Sequence, residues 1–370
     1  MSKTTTSLKG NSYNGAIDFW KFIFCLIILV FHVGEAFGQD KYPFYLGKYA
    51  VEFFFVISGY LMCVSASRKE AVADVNLGRE TLSFVLHKVK AILPAYLLAF
   101  IVAWINWFNF TGQELLAEKG VKKFVLKNLD MLPDFLLVYM AGYDGTVIIR
   151  ITWYISAMLI AMLLLYPLLR RFKDMFLMVI APLLVFFFCG YLANTSDYNG
   201  IMKYEGFLTH GMIRAIIGLC LGAMVYCFSR YIKKQNLTSF SRVLLSLCEF
   251  AGYLTILFVM DHGKEESAYI ILILLFFTVA VTASKQAITA TVFDNRIFRF
   301  LGQFSLYVYL FQSPARIIIR EMYPDSTYTQ ALYRIIALTL IFAILGWLIV
   351  RLLSRGSGKL LQRIRPIFIR

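Results

Sequence analysis

Charged residues are scarce in this 370-residue sequence, in which Asp, Glu, Lys and Arg together make up 16%. Hydrophobic residues make up 59%, and the mean hydropathy is +0.69. A soluble domain carries about 25% charged residues, so this chain has too few polar side chains to cover a surface in water. A soluble enzyme and a disordered protein are both excluded. Apolar runs of about 20 residues recur, each long enough to cross a bilayer as a helix, which predicts an all-α polytopic membrane protein.

The sequence also lacks the common signatures of metal, nucleotide and hydrolase sites. Its four histidines, His32, His87, His210 and His262, are scattered, so no metal site is predicted. A Walker loop, a GxGxxG motif and a GxSxG motif are all missing. None of the six cysteines forms a CxxC pair, and all lie in apolar segments, where cysteine behaves as a small hydrophobic residue. No linker rich in Gly, Ser or Pro divides the chain, so one integral membrane domain is expected over residues 1–370.

About ten apolar segments are predicted to span the membrane. They are residues 16–37, 47–65, 91–111, 148–169, 175–193, 212–228, 243–260, 268–284, 300–320 and 330–353. If the N-terminal segment 1–15 lies in the cytoplasm, the segments between spans on the cytoplasmic side hold 22 Lys and Arg residues. Those on the outer side hold 8, with Lys48 counted among them. This asymmetry follows the positive-inside rule and places both termini in the cytoplasm. It explains the net charge of +15 without a nucleic-acid partner, and the basic tail 354–370 is expected to meet anionic lipid headgroups.

The first predicted span carries ionisable residues, which are costly in a bilayer and indicate function. At 100° per residue, Asp18, Lys21, His32 and Glu35 share one helix face. His32 lies about 16 Å beyond Lys21, past the bilayer midplane, where a neutral imidazole is a candidate general base. A plain hydrogen bond across a helix interface is an equally open interpretation. Glu35 is about 4.5 Å from His32 along the axis and can orient it, whereas Asp18 is expected to pair with Lys21.

Two later segments combine charge with helix-packing signals. Glu52 lies at the outer end of the second span, and Ser58 with the glycine after it permits close helix approach. The basic pair Lys88 and Lys90 precedes Pro94, which is expected in the first turn of the third span, where a missing N–H costs little.

The remaining polar and aromatic features lie mainly toward the outer side. The pair Trp153-Tyr154 is typical of an aromatic belt. Arg214, Arg316 and Arg320 lie near the outer ends of spans and are expected to reach lipid headgroups. The outer segment 112–147 has a basic amphipathic part, which favours an interfacial helix, with a lid over an outward-facing site as the alternative.

Taken in order, these segments resemble the acyltransferase-3 family of integral membrane acyltransferases over about residues 15–315. The matching blocks are Asp18-Phe19-Trp20-Lys21 with His32, Val51 to Tyr60, Lys88 to Tyr96, Trp153 to Ser156, Arg214 with Gly222, and Leu301 to Leu310. Six blocks in this order are specific to the family, although each alone is weak. Two departures stand out: Lys21 and the lysines at 88 and 90 replace the commoner arginine, and Gln312 stands where many members carry a second histidine.

The resemblance implies an O-acyltransferase, most often an O-acetyltransferase, with no permanently bound cofactor. It implies acetyl-CoA or another acyl-CoA as cytoplasmic donor. The implied acceptor is a hydroxyl of a cell-surface polysaccharide, glycolipid or lipid-linked sugar across a bacterial cytoplasmic membrane. The implied site residues are His32, Lys21, Glu35 and Asp18 for catalysis; Lys88, Lys90, Ser58 and Tyr96 for the donor; and Glu52, Trp153, Tyr154, Arg214, Ser305, Tyr309 and Gln312 for the acceptor. His32 is either a general base or a transient acyl carrier. A glycan or lipid transporter, and a structural or sensory subunit, are the alternatives.

Overall fold

The computed structural model describes residues 14–38, 42–69, 76–143, 145–195, 201, 203–205 and 208–364. The lipid headgroup contacts predicted for the basic tail lie outside the residues whose side chains the structure describes. The helices are α1 (Gly15–Phe37), α2 (Ala50–Ser67), α3 (Leu77–Trp107), α4 (Gln113–Leu129), α5 (Leu132–Phe135), α6 (Trp153–Arg171), α7 (Lys173–Met175), α8 (Ala181–Thr195), α9 (His210–Lys234), α10 (Ser239–His262), α11 (Ala268–Ser284), α12 (Thr289–Val292), α13 (Arg296–Met322) and α14 (Tyr328–Ile364). Two short antiparallel strands, β1 (Tyr204–Glu205) and β2 (Leu208–Thr209), precede α9.

Polar caps fix the start of several long helices. The side chains of Asn14, Asn76, Thr209, Thr238 and Asn295 each accept a hydrogen bond from a backbone N–H in the first turn of the helix that follows. Such a bond satisfies a donor that has no partner within the helix. Local sequence therefore determines these helix starts.

Nine helical stretches in the described part of the chain are long and apolar enough to cross a membrane. Helix α13 is less apolar, but its 27 residues extend for about 40 Å, and it packs against α1, α3 and α14. The described chain therefore confirms an all-α polytopic architecture with about ten membrane-length helices. Its core lies along α9, whose side chains are nearly all buried from His210 to Val225.

The third span begins earlier than the sequence predicts. Helix α3 starts at Leu77, so Pro94 lies in its interior, and the prediction of Pro94 in a first turn is wrong. Tertiary contacts hold the extra turns: Phe84 stacks on Tyr166 with ring centroids 4.1 Å apart, and Glu80 accepts from the Tyr166 hydroxyl at 2.8 Å. Packing against α6 thus holds the turns of α3 that precede Pro94.

Helices α2 and α9 touch backbone to backbone. A Cβ atom on Gly59 would lie 2.1 Å from the Leu219 carbonyl oxygen, and one on Gly222 would lie 2.2 Å from the Val56 carbonyl oxygen. Contacts this short leave no room for a side chain, which confirms the close approach predicted at Ser58-Gly59. The same tight packing brings the polar residues of α2 and α9 together.

The outer segment between α3 and α6 folds back on α3. Helix α4 has no buried residue, and Gly120 interrupts it with φ 75°, after which Asn128 accepts from the Trp104 indole at 2.8 Å. Buried Asp134 then accepts bonds from the backbone N–H groups of Ile148 and Ile149, at 2.9 and 3.2 Å. The exposure of α4 fits the interfacial helix better than a lid, and Asp134 fixes the turn that leads into α6.

All six cysteines are free and lie in helices. Cys25, Cys63 and Cys220 are buried, and the Cys25 thiol donates to the Ser305 carbonyl oxygen at 3.2 Å. These three pack as hydrophobic residues, as the sequence predicts, whereas Cys189 and Cys227 are half-buried and Cys248 is exposed.

Candidate functional site

A cavity of about 440 Å³ lies in the half of the bundle that the charge asymmetry assigns to the cytoplasm. Helices α1, α2, α3, α6, α13 and α14 each contribute at least one lining residue. Six of the residues predicted from sequence line it: Lys21, Ser58, Lys88, Tyr154, Ser305 and Tyr309. We call this space the cytoplasmic cavity.

Two lysines give the mouth of the cytoplasmic cavity a positive charge. Lys21 Nζ lies 3.0 Å from Asp18 Oδ1, which confirms the predicted pair, and Gly302 allows α13 to approach that carboxylate. Lys88 lies close enough to feel the Lys21 charge, and it makes no ion pair within the described residues. Because the mouth holds two lysines and one carboxylate, which pairs with Lys21, it keeps a net positive charge that suits an anionic ligand.

Three aromatic rings close the inner end of the cytoplasmic cavity. The Tyr154 and Tyr309 ring centroids are 5.3 Å apart, and Phe54 lies 6.0 Å from Tyr154 and 6.5 Å from Tyr309. The Tyr309 hydroxyl donates to the Ile151 carbonyl oxygen, which ties α13 to the start of α6. We call these three residues the ring cluster.

A second polar group lies farther out along α1 and α13. His32 Nδ1 is 3.0 Å from Glu35 Oε2, and Arg316 Nη1 is 3.1 Å from the same oxygen. Arg316 Nη1 also lies 3.5 Å from the His32 carbonyl oxygen. We call His32, Glu35 and Arg316 the outer cluster. Its side chains remain partly exposed, with 22% for His32, 54% for Glu35 and 16% for Arg316.

Tyr42 packs beside the outer cluster. Its ring fills the space over Gly34, where a Cβ atom would come within 1.9 Å of the ring. Burial, together with the nearby Glu35 charge, raises the pKa of Tyr42 to about 12. The phenol therefore stays neutral at physiological pH.

The ring cluster separates the two polar groups. Tyr309 and Arg316 are seven residues apart on α13, so they share a face and lie about 10 Å apart along the axis. The family resemblance implies a cytoplasmic acyl-CoA donor, and such a donor has to extend inward if its acyl group is to meet His32. In this structure the cytoplasmic cavity ends at Tyr309, short of the outer cluster.

Three of the residues implied for acceptor binding, Glu52, Trp153 and Arg214, are buried. Arg214 Nη2 lies 2.6 Å from Glu52 Oε1, and both side chains are 1% exposed. The Arg214 guanidinium also sits 4.9 Å from the centre of the Trp153 ring. The expectation that Arg214 reaches lipid headgroups is wrong, because its charge is neutralised between α2 and α9. In this structure all three residues hold α2, α6 and α9 together.

Three other predicted residues lie away from the cytoplasmic cavity. Lys90 is exposed on another face of α3, in a shallow depression that includes Arg79 and His87. The Tyr96 hydroxyl donates to the Asp134 carbonyl oxygen at 2.6 Å. The Gln312 amide donates to the Tyr309 carbonyl oxygen at 3.0 Å within α13.

Sequence reasoning missed two residues near His32. Arg316, expected to contact headgroups, instead bonds Glu35, and that part of the prediction is wrong. Arg150 is exposed in the turn before α6, and its charge acts on the His32 ring. Neither contact follows from local spacing, because Arg316 is 281 residues from Glu35 in the chain.

A comparison with protein-family models decides the family. The acyltransferase-3 model (Acyl_transf_3), described as an acyltransferase domain, matches residues 14–351. The chain belongs to the acyltransferase-3 family. This acyltransferase gave no significant match in a search of curated proteins or in a search of solved structures. The six blocks that carry the resemblance all lie inside the matched range, so the protein is an integral membrane acyltransferase.

Proposed function

We propose that this acyltransferase moves an acetyl group from cytoplasmic acetyl-CoA to a hydroxyl of an extracytoplasmic glycan or lipid-linked sugar, in a bacterial cytoplasmic membrane. One observation carries the proposal: a positively charged cytoplasmic cavity and a histidine–carboxylate pair lie at two depths of the same bundle. Helix α1 contributes Lys21 to the first and His32 to the second.

The cytoplasmic cavity suits the donor. Coenzyme A carries several phosphates, and Lys88 with Lys21 supplies donors and positive charge at the mouth. The inner half of the cavity is lined mainly by apolar and aromatic side chains, which favour the uncharged arm and the thioester end. In this reading the anionic part of the donor stays at the cytoplasmic mouth and the acyl group points toward the ring cluster.

The outer cluster suits the hydroxyl. Glu35 accepts from His32 Nδ1–H, so the lone pair lies on Nε2. Nε2 takes the proton of the acceptor hydroxyl as its oxygen attacks the thioester carbon. The carbon–sulfur bond breaks, and the thiolate leaves as CoA after receiving that proton. Arg316 holds Glu35 from the other side and is a positioning residue.

A covalent route uses the same residues. His32 Nε2 attacks the thioester carbon, the carbon–sulfur bond breaks, and CoA leaves as the thiolate. The acceptor oxygen then attacks the acyl carbon, the bond from that carbon to Nε2 breaks, and the hydroxyl proton goes to the CoA thiolate. Either route requires the Tyr309 ring to swing aside, because the cytoplasmic cavity ends there. Its bond to the Ile151 carbonyl is a neutral hydrogen bond, and breaking it costs about 1 kcal/mol.

The test is thiol release from acetyl-CoA by the purified protein in nanodiscs, measured with and without acceptors. The acceptors are cell-envelope polysaccharide and octyl β-D-glucoside. We expect CoA release that depends on acceptor, with the acetyl group recovered on it as an alkali-labile ester. A glycan or lipid transporter would release no CoA with any acceptor, and that outcome would overturn the proposal.

A further inference from the structure

The turn before α6 places a guanidinium beside the outer cluster. Arg150 opens the turn Arg150–Thr152, whose backbone is held on two sides. The Tyr139 hydroxyl donates to the Arg150 carbonyl oxygen at 3.2 Å, and the Tyr309 hydroxyl donates to the next carbonyl, that of Ile151. Because Tyr309 and Arg316 share a face of α13, this turn lies below Arg316 on the same side of the bundle. Arg150 is therefore held in place by its backbone while its side chain is exposed.

The charges around His32 are not balanced. Glu35 serves both His32 and Arg316, so its carboxylate is already shared. Arg150 adds a further positive charge, which acts on both His32 and Arg316. Among the residues that the structure describes, no carboxylate lies within ion-pair distance of Arg150. The outer side thus carries two guanidinium groups and one carboxylate, and that carboxylate contacts Arg316 but not Arg150.

Like charges held together repel, and an anion placed between them relieves that repulsion. A guanidinium offers a planar fork of N–H donors that matches a phosphate or a carboxylate. The exposed position of Arg150 makes it accessible from the side on which the acceptor arrives.

We propose that Arg150, together with Arg316, binds an anionic group of the acceptor, a phosphate or a carboxylate, next to the hydroxyl that receives the acyl group. This inference rests on the proposed function and names the acceptor class: an acidic glycan or a sugar attached to a phosphate-bearing lipid. The anion holds the acceptor so that its hydroxyl faces His32 Nε2.

The experiment uses His32 itself as the reporter. Diethyl pyrocarbonate modifies the imidazole of the full-length protein in detergent, and peptide mass spectrometry follows the rate at His32 separately from the other histidines. Inorganic phosphate, glucuronate and glucose are added in turn at matched ionic strength with chloride. An anion bound beside the ring blocks access, so phosphate at about four times its Kd should slow modification about fivefold.

The three added compounds identify the anion, and two variants test whether Arg150 binds it. Protection by phosphate alone indicates a phosphate-bearing acceptor, protection by glucuronate alone indicates an acidic sugar, and glucose should give none. Arg150→Gln should abolish the protection. Arg334→Gln should retain it, because Arg334 is an exposed outer arginine on α14 that stacks on Tyr323. Equal modification rates with and without anions, or undiminished protection in Arg150→Gln, would overturn the inference.

Separate measurements test this inference and the proposed function, so either can fail without the other. Thiol release from acetyl-CoA reports the function, and the footprint at His32 reports the anion site. If Arg150 instead stabilises charge on the reacting carbonyl, Arg150→Gln lowers kcat equally for neutral and anionic acceptors, and phosphate gives no protection. That pattern would also refute acceptor recognition by Arg150.

Discussion

The His32→Gln substitution separates chemistry from packing in the outer cluster. His32 Nδ1 contacts Glu35 at 3.0 Å, and a glutamine amide can donate to the same carboxylate. Glu35 keeps its bond from Arg316 in the variant, so the charge balance of the cluster is unchanged. We therefore expect a loss of folding free energy no larger than one hydrogen bond, about 1 kcal/mol.

The expected loss of activity is much larger. Removing a positioned general base lowers the rate by about 10²–10⁴-fold, which corresponds to about 2.7–5.4 kcal/mol of activation free energy. An imidazole that carries the acyl group would cost more. The loss should appear in kcat, with little change in KM for acetyl-CoA, because His32 does not line the cytoplasmic cavity.

Two measurements on the same preparation decide the matter. Thermal unfolding in detergent should shift by roughly 1 °C for a change of about 1 kcal/mol in a chain of this size. Thiol release from acetyl-CoA with acceptor gives the turnover. His262→Gln is the matched control, because His262 Nδ1 lies 3.2 Å from Asp261 and the side chain is 60% exposed at the outer end of α10. A folded His32→Gln protein that turns over at nearly the wild-type rate would remove His32 from the catalytic site.

Three further substitutions test the rest of the site, each against a control. Lys88→Gln should raise KM for acetyl-CoA about tenfold in kinetic assays, and by less at high salt. Lys90 lies outside the cytoplasmic cavity, so Lys90→Gln should leave this KM nearly unchanged, and equal effects of the two substitutions would contradict the donor assignment. Phe54→Ala opens the ring cluster and should lower KM for butyryl-CoA relative to KM for acetyl-CoA. Phe186→Ala, on the exposed face of α8, should leave this ratio unchanged. An unaltered ratio in Phe54→Ala would count against the ring cluster as the end of the acyl site. Gly59→Ala should lower the free energy of unfolding by about 1–3 kcal/mol, because its Cβ would meet the Leu219 carbonyl oxygen at 2.1 Å. Gly190 has open space at its Cβ, so Gly190→Ala should be neutral or stabilising by up to about 1 kcal/mol. A Gly59→Ala protein as stable as the wild type would refute the packing argument.

Contacts within one helix could be predicted from the sequence. Asp18 with Lys21, and His32 with Glu35, are three residues apart, and helical geometry alone brings such pairs together. The architecture and the close approach at Gly59 also followed, because hydropathy and small residues report on bilayer crossing and helix packing.

Contacts between distant helices could not be predicted in this way. Periodicity shows which residues share a face, but it does not show what that face meets. Lys88 and Lys90 illustrate the limit. They point about 200° apart on α3, so periodicity predicts that they face different surroundings. Only the structure shows that Lys88 is the one that reaches the cytoplasmic cavity. Arg214 and Arg316 illustrate it again, because a carboxylate from another helix replaced the lipid headgroup expected for each. Such partners depend on the three-dimensional packing of segments far apart in the chain.

Gln312 bears on how protons move in the proposed reaction. Its side chain is buried, and its amide donates back to the Tyr309 carbonyl oxygen of its own helix. A carboxamide neither takes up nor releases a proton near neutral pH, so this residue cannot replace a second histidine as a proton carrier. In the base-catalysed route, the proton that His32 Nε2 takes from the hydroxyl must therefore return to the departing thiolate from the same nitrogen. In that route, Glu35, held by Arg316, would stabilise the imidazolium until the proton leaves, so both contacts to Glu35 would support the proposed proton transfer.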